Sequence, residues 1–518
     1  MDINLFPRAE VMPLTPKTNT VTALPEIPVP AVSVEPEQNT PAIQVVIRQE
    51  PTPTPVYAEP LAALNRLRDD SHTGVAARAT SQVMLSSLSQ TADGKAPFSV
   101  ANVFSQISSL SKETTEYRNE ARQFKVPQKL LTEKFSPDFA AVRGSKAEAV
   151  NLNVRTKEGD TIQIQMSRVH YKDGSSGIEF SFVVDGNLSE AEQKALGQLS
   201  DKLAQTSDTF FRTGTTELRG LQDIDTSVIS GFNLTLQRPK GDSVEMHSYD
   251  YRVDDVAQTQ TLSAEDTNGY KVDITSSLNP LVKGQGADAK VLQQYIDLIR
   301  RAGDESHAPS ETQRFILDAF SGFFSAAELA AVDESEASKT SSDKSIAAFD
   351  SGLPDFKASF RSPVGHNRSN YSQASAMVLT IEQKTRIEIN QDSSLIKQES
   401  SYELTNNRFA PLPGMERPDF VGGNYLYITQ KTTASTSCIM SLTGDRVNNM
   451  WLEQDVADKK EVSRFENHKQ VDQDSRSYED RNLQDFAELL EKYSTNRQQL
   501  AVEDLLASSK ERLFLGSK

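Results

Sequence analysis

Apolar and polar residues alternate most clearly from about Ala149 onward. Val150, Leu152 and Val154 are separated by Asn151, Asn153 and Arg155. After Glu158-Gly159-Asp160, Ile162, Ile164 and Met166 alternate with Gln163, Gln165 and Ser167. After Lys172-Asp173-Gly174, Ile178, Phe180 and Phe182 alternate with Glu179 and Ser181. A period of two puts all the apolar side chains of a strand on one face. Three such runs joined by short turns predict an antiparallel meander with one wet face. A helix must cover the dry face. Ser189 and Glu192, in S-x-x-E spacing, predict its capped start, and Ala195, Leu196, Leu199 and Leu203 its buried stripe. Phe232, Leu234 and Leu236 resume the alternation. Tyr249, Tyr251 and Val253 lead to a hairpin closed near Asn268-Gly269, with Tyr270, Val272 and Ile274 on the return. Residues 145–278 therefore read as one α+β domain.

The rest of the chain divides by the same signals. Residues 61–144 read as a helical lead-in, in which Phe98, Val100, Val103, Phe104, Ile107 and Leu110 share a face and Glu116, Arg118, Glu120 and Arg122 follow. Residues 279–332 form a helical segment, with Val291, Leu292, Tyr295, Ile296 and Ile299 on one stripe and Phe315, Ile316, Ala319 and Phe320 on the next. Residues 333–350, rich in Ser, Asp, Glu and Lys, read as a linker. Residues 351–518 read as a second strand-rich domain, through Met377, Leu379 and Ile381, then Tyr402 and Leu404, Tyr425 to Ile428, and Met450 to Leu452. Helices at about 482–493, with Leu483, Phe486, Leu489 and Leu490, and around Val502 close the chain. The fold class is α+β: antiparallel meander sheets covered by helices. Whether the two strand-rich regions pair or stand apart is open.

Residues 1–60 change the picture, because they hold 12 of the 23 prolines. Proline lacks a backbone N–H and fixes φ, so this stretch reads as a disordered Pro-rich arm. The chain of 518 residues carries 55 Lys+Arg against 72 Asp+Glu, a net charge of −17. Such a balance argues against nucleic acid as a partner, since phosphates require a basic surface. One Cys and six His leave no basis for a disulfide scaffold or a Cys-based zinc module. The start has no signal-peptide pattern, and no run approaches the roughly 18 apolar residues of a membrane span. The compartment expected is the cytoplasm, with export by a leaderless route as the alternative.

Few motifs suggest chemistry. Gly284-Gln285-Gly286-Ala287-Asp288-Ala289 fits G-x-G-x-x-A, but Asn279-Pro280 stands where a dinucleotide-binding unit needs a strand. Asp185, Gly186 and Glu192 match part of a calcium loop whose first and third ligand positions would be Ser181 and Val183, a poor ligand and a non-ligand. Asp223 and Asp225, and Asp472 and Asp474, are paired carboxylates of a kind common in so acidic a chain. Cys438 has His468 as its nearest histidine in sequence. No catalytic residue, cofactor or metal site is expected. Tyr249 and Tyr251, and Tyr425 and Tyr427, lie two apart on strands, so each pair shares a face. Exposed, they would suit recognition; core filling beside a covering helix is the favoured alternative.

The stretch Asp185-Gly186-Asn187-Leu188-Ser189-Glu190-Ala191-Glu192, with Leu196, Leu199, Leu203, Phe210-Phe211, Gly214, Leu218 and Gly231-Phe232, resembles an uncharacterised proteobacterial family. There a hairpin leads into an acidic-capped helix and a Phe-Phe element. The resemblance covers about residues 145–240, implies a bacterial source and brings no activity with it. The function expected is a non-enzymatic protein-interaction or assembly module with a protein partner. The alternatives are a leaderless exported secretion- or flagellum-linked protein, and an enzyme whose residues are dispersed in sequence.

Overall fold

The structure, a computed structural model, describes residues 66–69, 98–105, 116–125, 147–170, 176–216, 218, 224–279, 289–324, 341–389 and 393–502. The Pro-rich arm, Gly284 and Gly286, His72, Asp223 and residues 333–340 of the expected linker lie outside them, and the rest of that linker is a helix, Ser341–Phe349, followed by Asp350.

The chain order begins with β1 (Arg66–Asp69), α1 (Ala101–Phe104), β2 (Glu116–Lys125), β3 (Glu148–Thr156), β4 (Thr161–His170) and β5 (Ser176–Asp185). Then come α2 (Glu190–Thr213), β6 (Ile229–Lys240), β7 (Ser243–Asp254), β8 (Thr259–Asp266) and β9 (Lys271–Ser277). Three helices follow, α3 (Ala289–Glu305), α4 (Ser310–Phe324) and α5 (Ser341–Phe349). The last part is β10 (Phe356–Arg361), β11 (Gly365–Asn367), β12 (Asn370–Ile389), β13 (Ser393–Ala410), β14 (Tyr425–Thr443), β15 (Arg446–Glu466), β16 (Lys469–Asp485) and α6 (Ala487–Glu491).

Among the described residues all sixteen strands join one sheet, in the order β1-β2-β5-β4-β3-β6-β7-β8-β9-β10-β12-β13-β14-β15-β16, with β11 paired to β12 alone. The two strand-rich regions are thus continuous. Phe356–Arg361 lies antiparallel between β9 and β12, so the excursion through α3, α4 and α5 returns beside the strand it left. The described residues from Arg66 to Val502 belong to one compact unit.

Register explains where the core runs. Residues directly opposite in an antiparallel ladder share a face. One such row reads Val184, Ile162, Val154, Phe232, Tyr251, Leu262, Ile274, Ala358, Ile381, Tyr402, Ala434, Val456 and Asp480. Its neighbour runs from Phe182 through Leu234, Tyr249, Phe360 and Leu404, then turns polar at Thr432, Asp458 and Tyr478. The apolar rows hold through β13 and fade across β14 and β15. Over the apolar stretch lie α2, α3 and α4, whose Leu196, Leu203, Phe210, Tyr295, Ile299, Phe320 and Phe324 are buried with the strand residues in one cluster. A second cluster on the same face, with Ile396, Met440, Met450 and Leu452, is covered by Phe349, Leu490 and Val502.

The predicted capping box is present. Ser189 Oγ accepts from the Glu192 amide at 3.3 Å, and a Glu192 carboxylate oxygen accepts from the Ser189 amide at 2.8 Å. At the other end Gly214 closes α2 with φ +80°, and a Cβ there would fall 1.9 Å from the Arg238 guanidinium. Ser189→Ala is expected to lower stability by about 1 kcal/mol, the usual worth of such a cap. An unchanged urea midpoint would show that the cap carries no weight.

Three further expectations need correction. Glu116–Lys125 is a strand, not part of a helical lead-in: it pairs with β5 over its whole length. Its Glu, Arg, Ala and Gln favour helix, but pairing with β5 on one side and β1 on the other overrides so weak a preference. Ala101–Phe104 is the only helix of that region among the described residues, and Phe98, Val100, Val103 and Phe104 are buried as their spacing predicts. The strand between Tyr251 and Asn268 was unread; Asp254 accepts from the amides of Val256 and Ala257 and turns the chain there. The helix expected at about 482–493 begins only at Ala487. Leu483 belongs to β16, pairs with Glu453 and is 66% exposed.

Candidate interaction surface

Strands β12 to β16 hold 17 to 21 residues each, so β15 extends about 70 Å at 3.3 Å per residue. They reach beyond the helices. From Glu453 to Arg464, β15 no longer alternates buried and exposed positions; residues of both parities are half-buried or exposed. In β16 every residue but Gln484 is exposed. This part of the sheet is one layer thick.

On the helix-covered side, a polar bridge marks the transition. Glu305, at the end of α3, accepts from Gln430 Nε2 at 3.3 Å, and the same amide reaches Asp458 at 3.4 Å. Thr432 donates to Asp458 at 2.6 Å. Burial, and then the Asp458 charge, raise the Glu305 carboxyl above its ordinary range.

The opposite side carries a groove of about 560 Å³ across β13, β14, β15 and β16. Its walls are two register rows: Ser401, Ser435, Asp455 and Arg481, and Glu403, Thr433, Ala457 and Glu479. Small side chains in the middle of each row leave the backbone between them as the floor. Glu403 pairs with Lys431 at 2.8 Å, and Arg481 pairs with Glu453 and Asp455. Glu479 forms no ion pair among the described residues. Three carboxylates against one guanidinium make the walls acidic.

At one end of that side lies an aromatic cap. Tyr425 stacks on Phe465 at 5.0 Å, and Phe409 meets Phe420, Tyr425 and Tyr427 at 5.1, 5.7 and 5.1 Å. Tyr425 donates to Gln373 at 2.7 Å and accepts from Asn367 at 2.9 Å; Tyr427 donates to the Ala374 carbonyl at 3.1 Å. Burial raises the Tyr425 phenol above its usual range.

The four tyrosines singled out in the sequence are thus placed on two faces and fill cores. Tyr249, Tyr251 and Tyr425 are buried and Tyr427 half-buried. Tyr249 and Tyr251 face the helices, Tyr425 and Tyr427 the open side, so none offers a free aromatic surface. The groove between strands was invisible in sequence, because it depends on which residues of four strands fall opposite. Its one readable sign is the excess of Ser and Thr within β14.

The candidate chemistry is dispersed. Cys438 is buried opposite Leu452, while His468 sits in the β15–β16 turn. The 14 residues from Leu452 to Glu466 separate them by about 45 Å. Asp225 accepts from the Ser227 amide at 3.1 Å, and Asp472 and Asp474 are exposed on β16. Glu192 serves its cap. Among the described residues no three His, Cys, Asp or Glu gather as metal ligands, and no helix is long and apolar enough to cross a membrane. No family model, curated protein or solved structure matches this chain.

Proposed function

We propose that this chain is a bacterial, cytoplasmic protein-interaction or assembly module, whose docking surface is the open side of β13 to β16. The observation that carries the reading is the extension of a continuous sheet, as a single polar layer, beyond the helices that cover the rest. A layer wet on both sides adds little to a core, but it provides a long, rigid, flat surface. The groove chemistry favours an extended basic segment of a partner protein, because opposite charge steers encounter and fixes register. Addition of a partner strand to β16 is disfavoured: Lys469, Asp472, Asp474, Arg476, Glu479 and Arg481 line that edge, and edge charges oppose further pairing.

Crosslinking of the tagged full chain in its own cells, read by mass spectrometry, tests this. Partner crosslinks should map to β13–β16, and Glu403→Lys with Glu479→Lys should weaken capture without moving the unfolding midpoint. Capture unchanged by the double reversal, with crosslinks elsewhere, would refute the assignment of this face.

A further inference from the structure

On the helix-covered side, where α2 ends and α4 begins, lies a cavity of about 270 Å³. That is near the lower limit for small-molecule sites and too small for a peptide. Its inner wall holds His247, only 5% exposed, between the rings of Phe210 and Phe315 at 4.9 and 4.8 Å. The imidazole has one hydrogen-bond contact, Nδ1 to the Tyr249 hydroxyl at 3.4 Å. Tyr249 also bonds Thr216. Nε2 has no hydrogen-bond partner among the described residues and faces the cavity that His247 lines.

The remaining wall is charged. Arg238 Nε bonds Glu245 at 2.6 Å, and Lys240 is shared between Glu245 and Glu311. The Asp266 carboxylate accepts from the Asn268 and Tyr270 amides and from Thr312. Two cations therefore answer Glu245 and Glu311, and hydrogen bonds satisfy Asp266. Arg314 also lines the cavity, is exposed and forms no ion pair within 4 Å among the described residues, although its charge helps to lower the Glu311 carboxyl.

We propose that this cavity binds a small organic anion through its carboxylate or phosphate group, held between Arg314 and His247 Nε2–H. With Thr216 donating to Tyr249 and Tyr249 donating to Nδ1, the neutral imidazole carries its proton on Nε2 and presents it to the cavity. Arg314 supplies the charge, and a guanidinium suits either oxyanion. The ligand is distinct from any partner of the open sheet face, so the two proposals stand or fall separately.

The test titrates inorganic phosphate and acetate into the full chain at constant ionic strength, with chloride as control. The imidazole resonances are followed by NMR, and His247→Gln assigns the signal. A saturable displacement of the His247 signal is expected with phosphate, acetate or both, and the effective anion identifies the group recognised. In Arg314→Ala, whose exposed site leaves folding intact, the apparent Kd should rise about tenfold. A response that is linear for both anions, is matched by chloride or saturates equally in Arg314→Ala overturns the proposal.

Discussion

Phe320→Ala is expected to destabilise the protein by about 3–5 kcal/mol, a large share of the roughly 5–15 kcal/mol that holds a typical domain folded. Phe320 is fully buried on the C-terminal half of α4. Its ring lies 4.9 Å from Phe324, 5.9 Å from Phe356, 6.0 Å from Phe360 and 6.3 Å from Tyr295. Those neighbours belong to α3, α4 and β10, so the residue joins two helices to the strand that links the halves of the sheet. Truncation leaves a cavity that rigid sheet backbone cannot close, and adds the cavity cost to the lost transfer energy. The urea midpoint should fall with an unchanged m-value. A loss below about 1 kcal/mol would mean that the site collapses and that Phe320 is not a hub.

Tyr295 and Phe320 were legible as buried helix residues from their spacing alone. Phe356 and Phe360 were not placed, because nothing local says that β10 returns to the edge of β9. Alternation identifies a strand and its dry face, which is why β3, β4, β6 and β9 could be read from residues such as Leu152, Ile164, Leu234 and Val272. Pairing across more than 75 residues depends on the tertiary path. The same limit hid the candidate surfaces. Glu403, Thr433, Ala457 and Glu479 form one wall only through three registers, and Arg314 and His247 come to line one cavity only once α4 packs over the sheet. Local composition misled at β2, where helix-favouring side chains occupy a strand paired between β1 and β5.

Acid should destabilise the protein through His247. Burial, and then the charges of Arg238 and Lys240, push its imidazole down from 6.5 to about 4. Tyr249, Glu245, Asp266, Glu311 and Arg314 also surround the cavity it faces. The unfolded chain binds this proton near pH 6.5 and the folded chain only near 4. The contribution is therefore complete above pH 6.5 and is lost as pH falls through 4. At about 1.4 kcal/mol per pH unit, the loss approaches about 3 kcal/mol. In His247→Phe, whose ring fits between Phe210 and Phe315, this part of the slope should vanish. Parallel pH dependences of the urea midpoint in the two proteins would show that His247 is protonated while folded.

From β12 to β16 each long strand follows the last in chain order and pairs with its predecessor. The last two turns are short: Gly444 closes one with φ +54°, and Asn467 and His468, with φ 49° and 64°, close the next, whereas residues 411–424 join β13 to β14. Beyond the helices these strands form a lattice that grows in one dimension. Removing or adding a hairpin would change its width by about 9.6 Å, two strand spacings, with no need to repack the aromatic core beneath α3 and α4. The molecule therefore separates stability from reach, with one held by Phe320 and its neighbours and the other counted in hairpins, so the span of its outer half can vary without altering the scaffold that anchors it.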